Sequence, residues 1–233
     1  MIIEACTENF RQSQIAQFKG ANRIELCENL AQGGTTPSYG TIKVAVDKLS
    51  IPVLIMIRPK GGDFYYTEDE LQIMLNDIKY YKKLPVAGFV LGALKSQGDI
   101  GNSTTSIRSA SNNSVPRNIS FSPKIDYKVM DKLITACGTL PVTFHKAFDV
   151  LENAYLEIEQ LAKLGVKRIL TSGGKSTALE GLDDLNKILV QCNKYNVELV
   201  ACGNINPNNL QKITQYLKAP AFHGREIVGS LQD

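Results

Sequence analysis

Residues 51–67 read Ile51-Pro52-Val53-Leu54-Ile55-Met56-Ile57-Arg58-Pro59-Lys60-Gly61-Gly62-Asp63-Phe64-Tyr65-Tyr66-Thr67. A proline between apolar residues opens a run of five apolar side chains, a single charge closes it, and a glycine-bearing loop leads into an amphipathic segment at 69–83. Proline suits the first residue of a strand, because it has no N–H to give to the ladder further in. A near-continuous apolar run is the mark of a parallel strand covered on both faces. The same apolar-proline-apolar opening recurs at Leu84-Pro85-Val86, Leu140-Pro141-Val142 and Ala219-Pro220-Ala221. Counting outward from it, eight strand-like runs appear, at 2–6, 23–27, 53–58, 86–91, 142–145, 168–172, 197–202 and 221–223. Amphipathic stretches such as 69–83 and 155–164 alternate with them.

Eight β/α repeats predict a (β/α)8 TIM-type barrel rather than a doubly wound open sheet. The latter would carry a glycine fingerprint after its first strand, where Thr7-Glu8-Asn9 stands instead. Turns from helix to strand are short (Gly20-Ala21, Gly165-Val166), and loops from strand to helix are long, at 28–38 and 59–67. Long loops are where barrels build their sites. The reading is one barrel domain over residues 1–233. Within it, a Ser/Asn-rich insertion is expected at about 96–122, where twelve of 27 residues are Ser or Asn. Only ten residues follow His223, so the eighth helix is expected to be truncated and the apolar flank it leaves to be buried in a homodimer.

The 233 residues are 43% hydrophobic and 21% charged with a net charge of +3, a balance typical of a soluble globular protein. No basic stripe suits nucleic acid, and no apolar run approaches the roughly 20 residues of a membrane span. The N-terminus lacks the cationic and small-residue pattern of an export signal, which points to the cytoplasm. Five cysteines, none in a C-x-x-C pair, read as free thiols.

Charged residues within the strands mark the chemistry. Glu4 and Glu25 stand in matching contexts, Ile3-Glu4-Ala5-Cys6 and Ile24-Glu25-Leu26-Cys27, and alternation sends each acid and the thiol two places on to the same side. Arg23 shares that parity and Arg58 ends the third strand, so the two guanidiniums are placed to offset the buried acids. The two histidines, His145 and His223, fall at the ends of strands five and eight. Glu4, Glu25, Arg58, His145 and His223 together suit acid/base work on a small anionic or phosphorylated metabolite at the carboxyl-end rim, or ligation of a metal. Ser172, Gly203, Asn204 and Gly224, near the last strands and next to an N-cap at Asn206 with Pro207 opening the helix, are candidate anion-binding positions. Ser172-Gly173-Gly174-Lys175-Ser176 lacks the first glycine of a P-loop and is not read as one.

The motifs Ile24-Glu25-Leu26-Cys27, Gly33-Gly34-Thr35-Thr36-Pro37-Ser38, Arg58-Pro59-Lys60-Gly61-Gly62-Asp63-Phe64, Thr143-Phe144-His145-Lys146-Ala147-Phe148-Asp149 and Arg168-Ile169-Leu170-Thr171-Ser172-Gly173 resemble the CutC copper-homeostasis family along nearly the whole chain. The resemblance implies a TIM-type barrel, a cytosolic role in copper handling, and Cys6 and Cys27 as Cu(I) ligands, in keeping with the softness of thiolates. Lys60 and Lys146 stand where the family motifs carry Arg, which keeps the charge but loses the planar fork. Inward residues of neighbouring barrel strands occupy alternate layers, so the two sulfurs need not be level. Three functions are thus carried forward: copper homeostasis through Cys6 and Cys27, an enzyme using the rim residues, and a scaffold whose insertion binds another protein.

Overall fold

The structure, a computed structural model, describes residues 1–95 and 122–232. Eight parallel strands close into a barrel: β1 (Ile2–Thr7), β2 (Arg23–Leu26), β3 (Val53–Met56), β4 (Gly88–Leu91), β5 (Val142–Phe144), β6 (Val166–Thr171), β7 (Glu198–Ala201) and β8 (Ala221–Gly224). Each pairs with its neighbours in sequence, and β8 returns to β1. The helices are α1 (Phe10–Phe18), α2 (Tyr39–Lys48), α3 (Glu68–Tyr81), α4 (Tyr127–Cys137), α5 (Ile158–Leu164), α6 (Leu182–Lys194) and α7 (Pro207–Tyr216). A short antiparallel ribbon, Leu94–Lys95 with Lys124–Ile125, follows β4. The Ser/Asn-rich stretch lies, apart from Ser122, outside the described residues.

Local chemistry accounts for the helix starts. Thr67 and Glu70 form a reciprocal capping box on α3, and Asn206 with Asn209 does the same for α7, with Pro207 in its first turn. The amphipathic stretch at 155–164 divides into a 3₁₀ turn (Ala154–Glu157) and α5.

No helix follows β8 among the described residues, as the short tail led us to expect. The wall there is not bare, however. Ile227 and Leu231 of the tail are buried in the same apolar core as the helices, and Lys19 at the end of α1 donates to the Ser230 carbonyl at 2.7 Å. Irregular chain does the work of the missing helix.

Two kinds of core result. Between barrel and helices lies a large apolar layer that includes Ile24, Ile55, Phe89, Phe144, Ile169, Leu199 and Phe222. Inside the barrel two smaller apolar clusters, one around Cys6, Cys27, Leu54, Met56 and Val90 and one around Leu170, Val200 and Cys202, are accompanied by buried charge. Arg23 on β2 donates through Nε to Glu4 on β1 and through Nη2, at 2.7 Å, to Glu198 on β7 across the lumen. The strand parity read from the sequence therefore holds: Glu4 and Cys6, and Arg23, Glu25 and Cys27, face the interior of the barrel.

Arg23 is the cation between two carboxylates, so truncating it leaves the buried Glu4 with His223 alone and the half-buried Glu198 without its partner. An Arg23→Met variant is expected to lose about 3–5 kcal/mol of unfolding free energy in urea titrations; a loss below about 1 kcal/mol would contradict the role assigned to this pair.

Candidate functional site

The carboxyl ends of β1, β2, β3, β5 and β8 bring the sequence-predicted residues into one neighbourhood. Deepest is Glu4, which is buried and held by Arg23 on one oxygen and by His223 Nδ1, at 2.8 Å, on the other. Glu25 lies one layer higher, opposite Cys6 in the β1–β2 register. Its Oε1 sits 3.6 Å from Cys6 Sγ and 3.5 Å from Cys27 Sγ, and the two sulfurs are 3.9 Å apart. The stagger of neighbouring strands does not separate them, although Cys27 still pairs with β1 through its N–H to the Thr7 carbonyl at 2.9 Å.

Burial and neighbouring charge set the protonation of this cluster. Burial alone would raise Glu4, but the His223 hydrogen bond and charge, together with Arg23, outweigh it and hold the carboxyl at about 2. Burial would likewise discharge His223, yet the acids and Cys6 beside it push its pKa well above the usual imidazole value. The Cys27 hydrogen bond overcomes the burial of Cys6 and, aided by His223, brings that thiol down to about 5, while Cys27 is pushed up as the partner that keeps its proton. Glu25 is raised to about 8, chiefly by burial and against the pull of His223. These directions leave Glu4 and His223 as the charge-favouring groups of the cluster, Cys6 as the more acidic of its two thiols and Glu25 as the acid that resists ionisation.

Arg58 does not pair with Glu25. Its Nη1 donates to the carbonyls of Gln32 and Gly34, both at 3.0 Å, and its Nη2 to that of Gly62 at 2.6 Å. The guanidinium thus ties the loop after β2 to the loop after β3, and Phe64 lies against it with 4.8 Å from Cζ to the ring centre. Gly33, at φ +86°, is required here, since a Cβ would stand 3.0 Å from Arg58 Nη1. His145, at the end of β5, accepts the Ala147 N–H on Nδ1 at 3.2 Å. Burial and the nearby Arg58 charge hold it neutral, with a pKa of about 3.

These residues surround a cavity of about 230 Å³. Its walls also include Lys146 and Arg225. Arg225 escaped the sequence reading, since the only sign of it is its place two residues beyond a strand-end histidine. The proposed anion positions do not all converge. Gly203, Asn204 and Gly224 border a second cavity of about 460 Å³, which shares Lys146, His223 and Arg225 with the first. Ser172 does not line it; its hydroxyl lies 2.9 Å from Asp149 Oδ2 and 2.6 Å from the Lys175 carbonyl. Lys146 Nζ reaches the same Asp149 at 2.6 Å.

A closed parallel barrel with a buried thiol, carboxylate and imidazole cluster at the carboxyl ends of its strands defines the class: a TIM-type barrel with its candidate ligand site at that face. Comparison with known proteins narrows this. The chain belongs to the CutC family, whose profile matches residues 1–121 and 118–227. The copper homeostasis protein cutC homolog of Homo sapiens is 36% identical over 222 residues, covering 95% of this chain and 72% of the relative. A family protein CutC from Enterococcus faecalis is 38% identical over 235 residues, covering 98% and 100%. A crystal structure of a CutC protein from Streptococcus agalactiae superposes with a TM-score of 0.82 at 32% identity, covering 97% of this chain and 99% of that one. A deoxyribose phosphate aldolase from Aeropyrum pernix shares the fold alone, with a TM-score of 0.65 at 11% identity and coverage of 98% and 87%.

The neutral state of His145 makes a pH prediction. In the unfolded chain His145 takes a proton near 6.5, and in the fold only near 3. Between these values the unfolded state binds more protons, so stability falls as pH drops from about 6.5, by up to about 1.4 kcal/mol per pH unit. His223 and Glu25, whose pKa values are raised in the fold, pull the other way, His223 near pH 6.5 and Glu25 across the whole range, so the His145 share is read as a difference between variants. Between pH 6.5 and 5 urea unfolding is expected to show His145→Gln gaining stability relative to the wild type as the pH falls; a constant difference would refute a neutral buried His145.

Proposed function

We propose that this protein acts in copper homeostasis by holding Cu(I) between Cys6 and Cys27. The observation that carries the reading is the pair of free, buried thiols with sulfurs 3.9 Å apart, a separation that one ion lying between them can span. The donor set fits a soft monovalent ion. Met56 belongs to the same buried cluster and adds a thioether to the neighbourhood, and sulfur ligands select Cu(I) over harder ions. The group Cys6, Glu25 and Cys27 places three possible donor atoms within 4.8 Å of one another. A second such group, Glu4, Glu25 and His223, suits a metal less well, since its imidazole and Glu4 carboxylate are already engaged with each other. The names of the human and mouse relatives, both copper homeostasis protein cutC homologs, agree with this reading.

Within the pocket the chain's own groups have defined tasks. His223 stabilises the Cys6 thiolate, Glu4 and Arg23 hold His223 in place, and Glu25 presents an uncharged carboxyl to the sulfurs. We place the protein in the cytoplasm, where thiols stay reduced; among the described residues no helix is long and apolar enough to cross a membrane. We also read it as a homodimer; the tail covers the flank first expected to form the interface, which leaves exposed apolar side chains such as Phe18 and Tyr216 as candidate contacts.

Anaerobic titration with Cu(I) against a competing chelator tests the site. One ion per chain is expected in the wild type and none of comparable affinity in the Cys6→Ser, Cys27→Ser double variant; unchanged stoichiometry in that variant would sink the copper reading.

A further inference from the structure

Among the described residues five buried side-chain polar atoms lack a hydrogen-bond partner: Glu25 Oε2, Arg58 Nε, Tyr66 Oη, His145 Nε2 and Arg168 Nη2. Three of the five belong to residues that line the single 230 Å³ cavity at the barrel mouth. Buried polar groups are almost always paired, and while Arg58 has Tyr66 beside it, the unpartnered Glu25 Oε2 and His145 Nε2 on the walls of one cavity call for a ligand that supplies the missing partners. The residues are 2%, 3% and 2% exposed for Glu25, Arg58 and His145, which leaves bulk water a poor substitute.

We propose that this cavity binds a short oxygenated carboxylate of the hydroxy- or oxo-acid class, one oxygen accepting from His145 Nε2–H and the carboxylate lying toward Lys146 and Arg225. The direction of the hydrogen bonds follows from geometry. His145 Nδ1 is already an acceptor from Ala147 N–H, so the ring proton sits on Nε2, and that nitrogen is a donor. Arg58 contributes a fixed positive charge to the wall, because three backbone carbonyls hold the guanidinium and Tyr66 lies beside it. Glu25 Oε2 provides an oxygen partner for a ligand hydroxyl. Gly92 leaves room for the His145 ring, since a Cβ there would lie 2.7 Å from it.

The remaining walls select the ligand's body. Leu30, Met56, Phe64 and Leu170 supply apolar surface, which an inorganic anion does not use. The volume lies below the roughly 300–1,000 Å³ of sites for drug-sized molecules, so the body is a few carbons long. Lys146 and Arg225 border both this cavity and the adjoining 460 Å³ one, placing two cations on the route by which an anion enters. Nothing in this set requires copper, so the proposal stands or falls apart from the copper reading.

The test is calorimetric titration and thermal shift with D-glycerate, L-lactate and pyruvate, with acetate, inorganic phosphate and sulfate as controls and a Cu(I) chelator present throughout. At least one of the three acids is expected to bind saturably, at least about tenfold tighter than any control. Arg225→Met, a change at an exposed side chain, is expected to weaken that acid about tenfold or more, and His145→Gln to weaken it with unfolding still cooperative. The proposal is overturned if none of the three saturates up to about 10 mM, if phosphate or sulfate binds as tightly, or if Arg225→Met and His145→Gln both bind like the wild type.

Discussion

A carboxylate buried in the lumen of the barrel is the constraint around which the rest is arranged. Glu4 is charged in a place from which water is excluded, and an unpaired charge there would be prohibitively costly. Two cations meet it. Arg23 reaches it from the neighbouring strand and also spans to Glu198 on the far wall, and His223 reaches it from the strand that closes the barrel. One acid therefore links β1, β2, β7 and β8, three of which carry the candidate site. The charge on His223 follows from Glu4, and the thiolate on Cys6 follows in part from His223. Glu25, whose burial outweighs the pull of His223, resists ionisation for the complementary reason.

Arg58 plays the corresponding part on the other side of the mouth, with backbone carbonyls in place of a carboxylate. Three carbonyls from two loops converge on one guanidinium, an arrangement that needs the planar fork of arginine. The two long loops become a fixed wall, and Phe64 is laid against it. The positive charge left there, together with burial, keeps His145 neutral, so that two cationic or potentially cationic side chains do not compete for the same dry space. A buried acid with two cations and a buried cation with no acid thus stand on opposite sides of one small cavity.

Much of this was legible in the sequence, for physical reasons. Strand parity alone placed Glu4 with Cys6 and Glu25 with Cys27, because the period of two is strict, and the repeated proline openings revealed the β/α register. The pairing of partners was not legible. Arg23 and Arg58 looked equivalent as charges beside acids, yet one became an ion-pair hub and the other a clamp on carbonyls. That difference depends on where loops 28–38 and 59–67 return, which no local pattern encodes. Arg225 was missed because a residue in a turn after the last strand carries no periodicity. The tail was misjudged in a similar way: too short for a helix, it still buries Ile227 and Leu231, since covering apolar surface requires side chains in the right place and not helical backbone.

The cavity joins two kinds of chemistry that sequence motifs present as one. Its β1 and β2 side offers sulfur, with Cys6 in the wall and Cys27 behind it, soft and polarizable. Its β3 and β5 side offers N–H donors on rigid nitrogen groups, which suit oxygen. A soft cation and an oxyanion do not compete for the same donors, and their opposite charges favour each other across a few ångströms of low-dielectric space. Glu25 stands between the two sides, with one oxygen near both sulfurs and the other unpartnered. The buried thiols need a soft partner and the unpartnered His145 Nε2 needs an oxygen, so neither group accounts for the other, and the one residue they share is Glu25.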